Sequence, residues 1–281
     1  MGIRSLINKF KGGSGSRSGD RLLAPPALVG GIRFPYGPFG FKAQLAKEVS
    51  FVVEATTDLK TWLTLASGEA SSEGFEYLDS EASKFSYRFY RLRADGMPPA
   101  NILGYASVSL PPGFSMIANP LKGPNNTIGA MFKDWPDGTT LSKFDTRFFK
   151  LSENAVKEKK WTNPLETLLP TEGAIFYNPT SDYKSHTFVG EVVQGEVSVP
   201  IPAGFSVRSS PMPQGGSLQE LGFPIANGDV IHLFDRDQQR YVLHPYENNG
   251  WKSGAPIVSV GESFWVAKTQ PGNWSRKLLV I

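Results

Sequence analysis

Three histidines, His186, His232 and His244, are the only imidazoles in the chain, and cysteine is absent. Without cysteine there can be no disulfide, thiolate nucleophile or cysteine-bound zinc. None of the histidines has a partner at metal-ligand or catalytic-triad spacing. His232 and His244 could meet across a hairpin as half of a zinc site, yet two surface-facing strand histidines are the simpler reading. Asp235 and Asp237 stand two apart, as in calcium loops, but the glycine and terminal glutamate of an EF-hand loop do not follow. A hairpin turn accounts for both. No pair among the 26 acidic residues is singled out for glycoside hydrolysis. The run "GGSGSRSG" has neither a preceding strand nor a Gly-Lys-Ser frame, so it reads as a linker and not a nucleotide loop. No catalytic residue, metal ligand or cofactor site is expected.

Aromatic side chains suit binding better than chemistry here. Six tryptophans, Trp62, Trp135, Trp161, Trp251, Trp265 and Trp274, are of the type that stacks on sugars or anchors protein interfaces. Trp161 and Trp251 fall at matching positions of an internal repeat and Trp265 is aligned with Phe176, so these three read as duplicated core. Trp135 and Trp274 lack aromatic counterparts and are the expected exposed contacts. Further candidates are Ile3, Leu6 and Phe10, at helical spacing in the basic first segment, and Phe34 and Tyr36 in "GGIRFPYGPFGF". A solvated tail and a tight hairpin with packed aromatics are the plainer accounts of those two stretches.

The elements that must hold these residues are duplicated. "PPGFSMIANPL" (111–121) is echoed by "IPAGFSVRSSPM" (201–212), and "PDGTTLSKFD" (136–145) by "ANGDVIHLFD" (226–235). Gly113 and Gly204 are 91 residues apart, Gly138 and Gly228 are 90 apart, Trp161 and Trp251 are 90 apart, and Phe176 and Trp265 are 89 apart. A near-constant offset through several anchors is the mark of a repeated structural unit. Within each copy, "NTIGAMFKDW" or "SLQELGF" reads as a single helical turn capped by Asn126 or Ser217, followed by a hairpin turning at Asp145 or Asp235.

Composition agrees with a β-rich chain. With 29 glycines, 22 prolines and 12% aromatics in 281 residues, many turns and short strands are expected in place of long helices. The net charge of +3 is too slight to suggest a nucleic-acid partner. No apolar run reaches the ~20 residues of a membrane span. "SLINKF", broken by Asn8 and Lys9, is too short for the core of an export signal. From 32 to 109 the segments read as strands, and in "SFVVEA" and "YRFYRLRA" the alternation predicts one face on a core and one in water.

Two of those segments, "FVVEATTDLKTWLTL" and "FEYLDSEASKFSYRFYRLRA", resemble the middle and late strands of a fibronectin type III-like module. The version they are most similar to occurs in large surface or secreted proteins of Verrucomicrobia and related bacteria. "FVGEVVQGEVSVPIPAGFSVRSS" (188–210) resembles a repeated module of those same proteins. The resemblance implies an all-β chain: a basic flexible tail (1–21), a fibronectin type III-like β-sandwich (22–109), and two β-rich repeats (110–200 and 201–281). It also implies a place on a cell surface or in an extracellular assembly, which conflicts with the lack of a recognisable signal. A non-catalytic structural or adhesive protein is expected, with protein partners, self-assembly included, and possibly glycan. The alternatives are a carbohydrate-binding accessory module and an enzyme of unrecognised type.

Overall fold

The computed structural model describes residues 25–33, 37–94 and 97–278, and it is all-β, as expected. The first unit comprises β1 (Ala27–Arg33), β2 (Phe39–Gln44), β3 (Ser50–Thr56), β4 (Leu63–Glu69), β5 (Phe75–Asp79), β6 (Tyr87–Ala94) and β7 (Ile102–Leu110). One sheet has the order β1-β2-β5, and the facing sheet contains β7-β6-β3-β4, with every pairing antiparallel. Period-two alternation drives this arrangement. Phe39, Phe41 and Ala43 point inward from β2 and meet Val53, Ala55, Tyr90, Leu92 and Tyr105 from the other sheet. The Phe39 ring stacks on Tyr90 with centroids 5.1 Å apart.

A buried ionic knot closes the sandwich. Asp79, at the end of β5, accepts from Arg88 Nη1 and from the Tyr90 hydroxyl at 2.8 Å each, and its other oxygen accepts the Glu81 amide to cap the 3-10 turn Ser80–Lys84. Tyr105 donates to the Ala82 carbonyl of the same turn at 2.6 Å. Burying such a pair is tolerable because nearly every polar atom has a partner. Only part of the expected water-facing side of "YRFYRLRA" is wet. Phe89 faces away from the sandwich core yet is fully buried, against Leu59, Ile102, Leu121 and Val192.

The second unit continues as β8 (Gly113–Ala118), α1 (Ile128–Met131), β9 (Thr140–Asp145), β10 (Lys150–Lys157), β11 (Lys160–Trp161), β12 (Gly173–Asn178) and β13 (Lys184–Glu191). The third runs β14 (Gly195–Ile201), β15 (Gly204–Ser209), β16 (Gly216–Ser217), β17 (Val230–Asp235), β18 (Arg240–Glu247), β19 (Gly250–Trp251), β20 (Ile257–Val258), β21 (Ser263–Lys268) and β22 (Gly272–Leu278). Their main sheets have the same order, β11-β10-β9-β12-β8 and β19-β18-β17-β21-β15. In repeat 1, a lone bridge between Thr127 and Thr167 stands where β16 pairs with β20 in repeat 2.

The folded repeats start earlier than the sequence boundaries at 110 and 201. β7 pairs with β13 as β14 pairs with β22: Leu110 lies opposite Lys184 and Ile201 opposite Gly272. Each repeat therefore begins with a strand that its own last strand closes upon, and β7 also belongs to the sandwich. The glycines that recur at the 90–91 spacing have a backbone reason. Gly113 and Gly204 adopt φ of 89° and 81°, and Gly138 and Gly228 both adopt 87°, a region costly for side chains with a Cβ. Asn126 does not cap α1; its side chain takes the Gly123 amide, while Asn125 takes the Thr127 amide. In repeat 2, Ser217 and Glu220 form the reciprocal capping box.

The repeats pack directly on each other through β12 and β21. A Cβ on Gly173 would lie 2.5 Å from Ser263 Cβ and 2.6 Å from Val207 Cγ1. The Ala118 amide donates to the Gly261 carbonyl at 2.8 Å, and Gln239, at the tip of the β17–β18 hairpin, clasps the Phe114 amide and carbonyl. Gly173→Val is expected to lower the unfolding free energy by at least ~1–3 kcal/mol in a urea titration, because both neighbours are held by backbone. Gly250→Ala, whose methyl would meet nothing nearer than 4.0 Å, should stay within ~0.5 kcal/mol of the unaltered chain. Equal losses for the two would remove this packing argument.

A candidate interaction surface at the junction of the repeats

A connected set of aromatic side chains that reaches solvent sits where the two main sheets meet. On repeat 2, period-two alternation sends Phe205 from β15, Trp265 from β21, His232 from β17 and Tyr241 and Leu243 from β18 to the face away from the core. His232 is directly opposite Trp265 on one side and Leu243 on the other. On repeat 1, Phe144 at the end of β9 and Phe149 before β10 project to the same place. Phe144 meets Trp265 edge-on at 4.7 Å and Phe149 at 5.2 Å, while Phe149 approaches Phe205 at 6.3 Å. Phe205 lies 5.7 Å from His232, and Trp265 Nε1 donates to the Tyr241 hydroxyl at 3.1 Å.

The result is a continuous aromatic surface contributed by both repeats and open to solvent. Phe148 and Phe149 are 75% and 66% exposed, and Leu243 is 53% exposed. Burial holds the His232 pKa below its ordinary value, so this imidazole is neutral at pH 7. Burial raises the Tyr241 pKa, with the bond from Trp265 acting against it. A surface of this kind gains free energy by leaving water and offers rings for edge contacts. It offers no acid–base pair, and among the described residues no group of three or more His, Asp or Glu could hold a metal ion.

Several sequence expectations change. Trp274, expected as an exposed contact, is fully buried: its indole packs on Phe223 and Phe264 and donates to the Leu221 carbonyl at 2.8 Å. Trp135 is half-buried against Phe176, with ring centroids 4.7 Å apart. Ile3, Leu6, Phe10, Phe34 and Tyr36 lie outside the described residues. Trp265 does not match Phe176. The register makes Val266 the counterpart of Phe176, both opposite a serine of the first sheet strand, and puts Trp265 on the other face. The zinc pair fails because His244 lies opposite Ile231, one residue out of step with His232, so the two imidazoles leave opposite faces. Asp235 caps its hairpin turn through the Asp237 and Gln238 amides, as Asp145 does with Arg147 and Phe148.

Trp274 has a counterpart after all. Val108 lies opposite His186 just as Val199 lies opposite Trp274, so His186 occupies the tryptophan position of repeat 1. It stacks on Phe132 at 4.1 Å and its Nε2 is buried without a hydrogen-bond partner. The smaller ring borders a cavity of about 240 Å³ lined also by Asn119, Asn126, Ala130 and Met131. The contacts missed from the sequence, Phe144, Phe149, Phe205 and Tyr241, carried one signal: Phe205 follows Gly204 in the echoed "GFS". Compared with known proteins, the chain matches no family model, no curated protein and no solved structure.

Burial pushes the His186 pKa down to about 3 from an ordinary 6.5. The unfolded chain therefore takes up a proton below pH 6.5 that the folded chain refuses, so stability is retained above 6.5 and falls toward pH 3. The expected slope from this one group approaches about 1.4 kcal/mol per pH unit. Urea titrations of the native chain and of His186→Phe between pH 7 and 4 check it. The variant should lose markedly less stability over that range, and parallel losses would show that His186 is not the group responsible.

Proposed function

We propose that this is a non-catalytic structural protein, a modular β scaffold of a cell-surface, extracellular or virion-like assembly that makes contacts with other copies of itself. The observation that carries the reading is the exposed aromatic surface across the repeat junction. Contiguous apolar exposure of this kind marks interaction sites on soluble proteins. It depends on Phe144 and Phe149 from one repeat and Trp265 and Phe205 from the other, so its geometry is only as good as the packing between the repeats.

The fibronectin type III-like reading of the first unit is supported by its strand order, three strands β1-β2-β5 facing β7-β6-β3-β4. That arrangement belongs to the antiparallel sandwiches common in cell-surface modules, and the surface location rests on the resemblance of "VEATTDLKTW" and "RFYRL". No helix among the described residues is long and apolar enough to cross a membrane. The glycan-binding alternative calls for tryptophans in line on an exposed face. Trp161 and Trp274 are buried, and Trp62, Trp135, Trp251 and Trp265 are half-buried, which favours protein contact.

Sedimentation velocity over a concentration series tests the reading. The full chain is expected to associate, and Phe149→Ser combined with Tyr241→Ser to weaken association by about tenfold or more, since central aromatic contacts dominate interface energetics. Phe149 is exposed and Tyr241 partly so, so circular dichroism should hold and melting should fall only slightly, through the lost bond from Trp265. A full chain that stays monomeric at every concentration overturns the scaffold reading, and unchanged association in the double variant removes the aromatic surface from it.

A further inference from the structure

The two repeats differ in what covers their first strand. In repeat 1, β7 is paired on one edge with β13 and on the other with β6 of the sandwich. In repeat 2, β14 has β22 in the place of β13, and among the described residues no strand pairs with its other edge. The registers correspond residue for residue, so repeat 1 shows what the equivalent edge of repeat 2 is built to accept.

Backbone directions can be read from the same correspondence. The Ser107 amide donates to the carbonyl of Ser86, the residue just before β6. In an antiparallel strand such groups alternate sides. Ser107 and Tyr105 therefore turn toward β6, and their counterparts Ser198 and Glu196 turn their amides to the open edge, while Val197 and Val199 turn to β22. Pro200 takes the place of Ser109, an outward position beyond the reach of β6, where a residue without an amide belongs on an edge strand.

The chain also carries an open edge that could fill this one. The sheet that contains β6 ends at β4, whose outer side is bare of strands among the described residues. "LTLASGE" has no lysine, arginine or proline, and Leu63 is 61% exposed. Its one charge is Glu69 at the far end and its pairing with β3 is interrupted by a single register shift, so from Leu63 to Gly68 it carries none of the charges or prolines that normally guard such an edge. We propose that β4 of one copy adds to the free edge of β14 in another, extending β14–β22 as β6 extends β7–β13. Donor and acceptor are different surfaces, so the contact is head-to-tail and propagates into a filament unless the rotation closes a ring. This inference rests on the self-assembling scaffold reading and specifies the lengthwise contact, leaving the aromatic surface for lateral ones.

Two variants of the full chain test it. Ser198→Pro removes an outward amide while sparing the β22 ladder, and the extended Val197 before it is compatible with proline. The substitution also removes an exposed hydroxyl pair with Ser275. Leu63→Lys with Ser67→Lys guards β4 instead. Each variant alone is expected to associate at least tenfold more weakly than the full chain, with unchanged circular dichroism. Mixed, they should form a 1:1 complex that neither forms alone, because one keeps β4 open and the other keeps β14 open, with no lengthwise growth beyond that pair. Oligomers that persist undiminished in both variants overturn the edge contact while the scaffold reading stands. Absence of the mixed 1:1 complex also overturns it, and a full chain without oligomers overturns both.

Discussion

Everything in this structure hangs on the two edges of β7. One edge pairs with β6 and so belongs to the sandwich; the other pairs with β13 and so closes repeat 1. A strand in that position cannot shift register without sending its inward residues on both sides to the wrong face. Its residues are accordingly buried on both faces along much of its length, with Tyr105 in the sandwich core and Val108 and Leu110 in the core of repeat 1. A flexible joint between the first two units is therefore not possible without breaking backbone hydrogen bonds. The hairpin of repeat 2 then locks the third unit down, since Arg236 donates to the Ser109 carbonyl at the end of the same strand and pairs with Glu262.

Duplication preserved the backbone and released the chemistry of the interior. At matching positions repeat 1 buries Thr139 and Asn178, whereas repeat 2 buries Asp229 and Lys268 as an ion pair. Burial acts to raise the Asp229 pKa. Lys268, the amides of Thr269 and Ala226 and the Thr269 hydroxyl outweigh it and hold that carboxyl below its ordinary value. Neutral and ionic solutions to one site coexist because each satisfies its own polar atoms. Asn178 donates to the Leu110 and Asp182 carbonyls, and Lys268 reaches the Pro224 carbonyl. His186 and Trp274 are a less balanced exchange, since the imidazole leaves a polar atom unpaired beside a cavity, whereas the indole in repeat 2 donates to the Leu221 carbonyl.

What could be read from the sequence follows this division. Backbone requirements leave signatures that survive duplication, so the glycines with positive φ, the aspartates that cap hairpin turns and the offset between Trp161 and Trp251 were all legible. Side-chain faces were less so. Trp265 falls against Phe176 in the sequence at a spacing of 89, but the strand offset is 90, and one residue moves a side chain to the opposite face. Trp274 looked unmatched because its counterpart is a histidine, and composition alone cannot say that an imidazole and an indole fill one position. The sharing of β7 left no local mark, because a strand buried on both faces reads much like the end of any sandwich.

The placement of the exposed aromatics follows from the same constraint. The β9–β10 and β17–β18 hairpins extend past the contact between the sheets, so the rings at and before their tips have no core left to enter. Phe149 and Gln239 occupy equivalent positions, both with φ of 50°, and each reaches to the start of the other repeat's first sheet strand. One does so with a ring against Phe205 and the other with hydrogen bonds to the Phe114 backbone. The polar version satisfies the Phe114 backbone, although the Phe114 ring itself stays 47% exposed. The aromatic version covers Phe205 only in part and joins it to Phe144 and Trp265, so the junction is asymmetric in the respect that matters for association: one end is held by backbone hydrogen bonds and the other by a connected set of rings that reaches water.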